Sequence, residues 1–139
     1  MAKVYVSSTI ADLKAERQAV FDWLAGAKHQ YVHSYRPDSE TVTESCGADV
    51  DECDLYVLIL GHRYGWQPDF GNAERLSITH LEFRRAGLKG IPRVALLRVP
   101  IPDPELSDVD DPVRSELVRR FKAEVRGAVR AGEFRDIAA

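Results

Sequence analysis

The sequence predicts an α/β fold in which a parallel sheet of four to five strands carries helices on both faces. Two observations predict it. First, Leu55-Tyr56-Val57-Leu58-Ile59-Leu60 is a continuous apolar run that stops at Gly61. A run of this length without polar alternation reads as a strand buried on both faces, as parallel strands are. Second, strand-like and helix-like segments alternate along the chain as βαβαβαβ, followed by a loop and a last helix. That alternation implies parallel strands joined by helical crossovers. Right-handed crossovers then make 2-1-3-4 the simplest strand order.

The elements follow in order. Residues 3–6 (KVYV) form a first strand that ends at Ser7-Ser8-Thr9. A helix over 11–25 carries Leu13, Val20, Phe21 and Leu24 at roughly helical spacing, with Ser8 or Thr9 as N-cap, Asp12 in its first turn and Gly26 at its end. Residues 30–34 (QYVHS) form a short strand, and 35–38 a loop. A second helix spans 39–52, with Val42, Cys46, Val50 and Cys53 facing inward and weakened at Gly47. After the apolar strand, a loop leads to a third helix over 78–89, closed by Gly90 and Pro92. Residues 93–99 (RVALLRV) are the fourth strand, and 100–112, rich in proline and acid, a loop. A last helix covers 113–131 with Leu117, Val118, Phe121, Val125 and Val129 inward, and the final residues fray.

Composition bounds the function. At 139 residues the chain is the usual size of one domain, with a core over 3–99. Its 45% hydrophobic and 29% charged content are those of a soluble globular protein. Nineteen basic against 22 acidic residues leave a net charge of −3, which argues against nucleic-acid binding. No apolar run approaches the roughly 18 residues a membrane span needs. Strand one starts at Lys3, so no signal peptide and a cytoplasmic location are expected. Cys46 and Cys53 suit one face of a helix better than a disulfide and read as buried thiols. No cysteine–histidine cluster has zinc-site spacing, so neither a metal nor a resident cofactor is expected.

The predicted order places Ser7-Ser8-Thr9 and the stretch Gly61 to Trp66 side by side where the chain reverses direction between strands one and three. The start of the third helix, with Thr79 and Glu82, lies beside them. Open α/β sheets bind ligands at such a switch point. Several residues there have two readings. Glu82 either faces the crevice, where a carboxylate binds ribose hydroxyls or attacks a sugar C1, or folds back as the partner of Thr79 in a capping box. Ser7-Ser8-Thr9 either present hydroxyls and N–H groups to a phosphate or simply cap a helix. No GxGxxG or GxxxxGK[ST] motif follows strand one. Among His62, Arg63, Tyr64 and Trp66, the arginine suits a phosphate or carboxylate and the aromatic rings suit a base. Alternatively Tyr64 and Trp66 pack over the sheet end and Arg63 pairs with Asp51 or Asp54. Gly61 and Gly65 indicate a tightly shaped loop. Asp51, Glu52 and Asp54 read as solvated charges rather than a metal cluster. His29, His33 and His80 read as surface or structural, and Arg84-Arg85 as a solvated face or partner contact.

The motifs VYVSSTIADLKAERQAVFDWL, VDECDLYVLILGHRYGW and LSITHLEFRRA occur in order over residues 3–99. Together they resemble the domain-of-unknown-function family 4062. That resemblance implies a flavodoxin-like, TIR-like fold. Members are typically N-terminal modules of larger signalling or defence proteins, and they look like distant relatives of TIR domains and nucleoside deoxyribosyltransferases. In those enzymes a glutamate at the start of the helix after the third strand acts at the ribosyl C1 of a nucleoside or NAD. The resemblance therefore implies Glu82 as the catalytic residue. Ser7 and Ser8 would form the phosphate or ribose side, and Gly61, Arg63, Tyr64 and Trp66 the opposite wall; Thr9, His62 and Thr79 are further candidate ligand contacts.

The expectation is a TIR-like signalling or effector domain of a bacterial, antiviral immune-type protein that cleaves the N-glycosidic bond of NAD or a related nucleotide. The alternatives are a non-catalytic protein–protein assembly module and a nucleotide-binding sensor without chemistry. Expected partners are a nucleotide, further copies of the chain, or other domains of a larger protein.

Overall fold

The computed structural model describes residues 2–10, 12–33, 48–68, 72–99 and 107–135. Its elements are β1 (Lys3–Ser7), α1 (Lys14–Gly26), β2 (Gln30–His33), β3 (Leu55–Leu60), α2 (Ile78–Leu88), β4 (Arg93–Arg98), α3 (Pro112–Ala128) and β5 (Gly132–Phe134). The five strands form one sheet, all parallel, in the order β2-β1-β3-β4-β5. This is the flavodoxin-like order, with the switch point between β1 and β3.

Strand alternation explains the apolar run in β3. Tyr56, Leu58 and Leu60 point to one face, where Phe83 and Ala86 of α2 and Val118, Phe121 and Val125 of α3 cover them. Val57 and Ile59 point to the other, against Leu13 and Leu24. Both faces of β3 are thus withdrawn from water, so no polar position interrupts it. β1 divides the same way. Val4 and Val6 meet the α1 layer, while Tyr5 and Ser7 turn toward α2. β4 buries Ala95 and Leu97 on the α2–α3 face but leaves Val94 on the other face 43% exposed.

Several expectations need correction. Helix α1 starts at Lys14, not 11, and its N-cap position is Leu13 with no side-chain cap. Ser8 and Thr9 are occupied elsewhere: Ser8 accepts from Arg17, and Thr9 donates to Asp12. The N-cap of α2 is Ser77, whose hydroxyl accepts from the His80 N–H at 3.2 Å. Thr79 and Glu82 therefore form no capping box. Helix α3 ends at Ala128, and the expected frayed end contains a fifth strand pairing with β4. Its start is set by Asp111, which accepts from the Arg114 N–H at 3.0 Å, followed by Pro112, whose fixed φ suits a first helical position. Most of the expected helix over 39–52, with Cys46, lies outside the described residues; 48–51 are helical. Cys53 is a buried free thiol whose pKa burial pushes up to about 11.

A candidate ligand site at the switch point

The loops after β1 and β3 and the start of α2 enclose a cavity of about 530 Å³ at the carboxyl end of the sheet. Ser8, Thr9, Arg63, Trp66 and Thr79 line it, as do Asp12, Gly65, Asp108 and Arg114. Trp66 stands at the edge, 51% exposed. Two glycines let the loops approach so closely. At Gly61 a Cβ would lie 3.2 Å from Asp12 Oδ2. Gly65 has φ +96°, and its Cβ would lie 2.9 Å from the Thr9 methyl. Both the left-handed backbone and the contact exclude a side chain at 65. Gly65→Ala is therefore expected to cost about 1–3 kcal/mol in urea unfolding and to displace Thr9 from the cavity wall. Unchanged stability would show that the loop relaxes freely.

Glu82 does not line the cavity. It is 1% exposed, and its carboxylate accepts from Ser7 Oγ at 2.7 Å and from the Tyr5 hydroxyl. It thus turns toward β1, neither into the open crevice nor back to the start of its own helix. Its neighbours nonetheless reach the cavity. Thr79, one turn earlier on the same helix face, is in the wall, and so is Ser8, next to Ser7. Arg17 of α1 completes this buried group. Its Nη1 donates to Ser8 Oγ at 2.6 Å, and its Nη2 lies 3.3 Å from His33 Nδ1. Burial lowers the Arg17 pKa, and the charges of Glu82 and Tyr5 oppose that shift.

Ser7, Gly61, His62 and Tyr64 are likewise not part of the wall. Ser7 holds Glu82, and Gly61 makes room for Asp12. His62 turns away toward Lys122, 3.0 Å from its Nζ. Tyr64 is fully buried, with its hydroxyl 2.7 Å from His80 Nδ1 and its ring edge-on to Phe121. Asp51 and Asp54, the acids expected beside Arg63, bond to other residues. Asp51 is held by Arg85 at 2.7 and 2.5 Å, and Asp54 accepts from the Lys3 N–H. Arg63 instead exerts its charge on Asp12 across the cavity wall. Arg84 is tied to Glu124 and Glu74.

Sequence reasoning missed Asp12 as part of the cavity wall, having taken it for a first-turn acid. Its Oδ1 accepts from Thr9, while Oδ2 is buried without a hydrogen-bond partner. Burial raises the Asp12 pKa, and the Thr9 bond and Arg63 only partly offset that. Oδ2 packs against Gly61, where a Cβ would lie 3.2 Å from it. Asp108 and Arg114 were also missed. Arg114 donates to Gly65 O at 2.6 Å and to Gln67 Oε1 at 3.1 Å, so it shapes the β3 loop. Among the described residues, no group of three histidines, cysteines or acids could hold a metal ion. No helix among them is long and apolar enough to cross a membrane.

Fold and geometry together define an α/β sheet fold with a crevice at the sheet's switch point. The chain belongs to the family described as Domain of unknown function (DUF4062), whose model matches residues 3–139. No curated protein matches it. Among solved structures it is similar to the Clostridium botulinum CMP N-glycosidase BcmB. The identity is 13%, with 96% of this chain and 88% of that chain covered and a TM-score of 0.47. A likeness at this level says nothing of reaction or substrate in this chain.

Proposed function

We propose that the chain acts as one domain that binds a nucleotide in the switch-point cavity and cleaves its N-glycosidic bond, with NAD or a related nucleotide as substrate. The observation that carries this reading is the buried Glu82 carboxylate, held by two hydroxyls, on the helix whose Thr79 lines a cavity of nucleotide size. Burying a carboxylate is costly unless it is paired or serves a function, and such groups concentrate at active sites. Arg63 would hold a phosphate, Trp66 would stack on the base, and the Asp12 carboxylate would accept from a ribose hydroxyl or a base N–H.

Glu82 would stabilise or trap the electron-poor ribosyl C1 as the bond to the base breaks. Tyr5 and Ser7 would position it. A rotamer change that exchanges these two bonds for the ligand would bring the carboxylate up beside Thr79. As in the signalling and defence proteins whose N-terminal modules it resembles, the reaction would serve a response to infection.

A second reading, a nucleotide sensor without chemistry, is favoured by one observation: Glu82 is closed off from the cavity. Titration calorimetry with NAD and nucleoside monophosphates, paired with chromatography of the products from clustered protein, separates the two. Binding with release of free base supports the glycosidase. Binding without release supports the sensor. No binding contradicts both and leaves an assembly module.

A further inference from the structure

A second, smaller cavity of about 220 Å³ lies behind the first, lined by His62, Ser107, Val109, Ser115, Arg119 and Lys122 among others. The two cavities stand back to back, for Arg63, Asp108 and Arg114, the chain neighbours of His62, Ser107 and Ser115, line the first. We propose that this smaller cavity is a binding site for a phosphate-type oxyanion, with Lys122 as its principal ligand.

The argument starts from charge. Lys122 is partly buried on α3, and its Nζ donates toward His62 Nδ1 at 3.0 Å and Arg98 O at 3.3 Å. An ammonium has three donors, so one remains for the cavity. Among the described residues no carboxylate lies within 4.0 Å of Nζ. The other cations of this helix face are different. Arg119 is bonded to Glu116 at 2.8 and 2.5 Å, and Arg126 pairs with Glu133 at 3.5 Å. Among the described residues Lys122 is thus the cation of the group that no carboxylate balances, and it lines the cavity together with the Glu116-paired Arg119. Burial and the charge of Arg126 accordingly hold its pKa down to about 8. A bound anion would relieve both effects.

The hydroxyls fit the same ligand. Ser107 Oγ accepts from the Val109 N–H at 3.3 Å, which leaves its own proton to donate. Ser115 Oγ spends its proton on Asp108 O at 2.7 Å and so ties this wall to the first cavity. An ammonium and a hydroxyl donor lining one small, open cavity suit a compact oxyanion better than a sugar or a base. The phosphate has two sources, the free ion or a terminal phosphate of a nucleotide seated in the first cavity. The site itself does not depend on the glycosidase reading.

The test is titration of the protein with inorganic phosphate, at ionic strength held constant with chloride. Saturable binding is expected, weakened at least about tenfold in Lys122→Gln, which removes one charge-assisted hydrogen bond. If Lys122→Gln does not fold, wild-type protein decides by reductive methylation. Phosphate should protect Lys122 while leaving the exposed Lys14 unprotected. Repeating the titration with nucleotide present distinguishes the sources: loss of phosphate binding assigns the site to the nucleotide's own phosphate, and retention assigns it to the free ion. Absence of saturable binding up to about 10 mM, equal affinity in a folded Lys122→Gln, or equal labelling of Lys122 with and without phosphate overturns the proposal.

Discussion

In Glu82→Gln, base release from the nucleotide is expected to fall by at least about a thousandfold, as when a reacting side chain is removed from a preformed site, while nucleotide affinity stays within about threefold. The amide keeps the size of the carboxylate and can still accept from Ser7 or Tyr5, so the α2–β1 contact survives. What would be lost, on the proposed mechanism, is the negative charge facing the developing cation at C1. That charge matters most once the cation develops at C1, and less in the ground-state complex. The loss should therefore appear in kcat rather than KM. A variant that binds and turns over like wild type would remove Glu82 from the chemistry. Tyr5→Phe gives the companion result: a smaller fall in kcat, since Tyr5 acts only through Glu82.

Phe121→Ala is expected to cost about 3–5 kcal/mol of stability, in the range of buried phenylalanine truncations and a large share of the roughly 5–15 kcal/mol that holds a domain together. Phe121 is fully buried at the centre of the α2–α3 layer. The His80 ring stacks on it at 4.0 Å, and Tyr64 and Phe83 meet it edge-on at 6.2 and 5.8 Å. Its removal leaves a cavity bounded by α2 and the β3 loop, the two elements that carry Glu82 and Arg63. Urea unfolding measures the effect. A loss under about 1 kcal/mol would mean that the helices close over the gap and that this aromatic cluster does not fix the site.

The sheet was legible because its signals are local. The β3 run announces burial on both faces, and strand–helix alternation implies the parallel order found in the structure. β5 was not legible, since Gly132-Glu133-Phe134 is short, polar and without alternation; β4 alone makes it a strand. The α1 start was misplaced for a different reason. Ser8 and Thr9 are good caps by residue type, but Arg17 and Asp12 claim their hydroxyls. Thr79 and Glu82 have the spacing of a capping box, yet Glu82 bonds to Tyr5, 77 residues away, and no spacing rule reaches that far. By sequence, the group His62 to Trp66 reads as one wall of a site. In the structure alternate residues diverge: Arg63 and Trp66 stay at the first cavity, Tyr64 enters the core and His62 serves the second. Asp12, Asp108 and Arg114 come from segments whose sequences show only a helix start and an acidic loop.

The most direct measurement of the central claim is a crystal structure of Glu82→Gln with its nucleotide bound. The account predicts phosphate toward Arg63, the base against Trp66, and the ribosyl C1 beside position 82, with the side chain there turned away from Tyr5 toward Thr79. A nucleotide seated elsewhere, or one in the cavity with its ribose remote from position 82 and the Tyr5 contact intact, would contradict it.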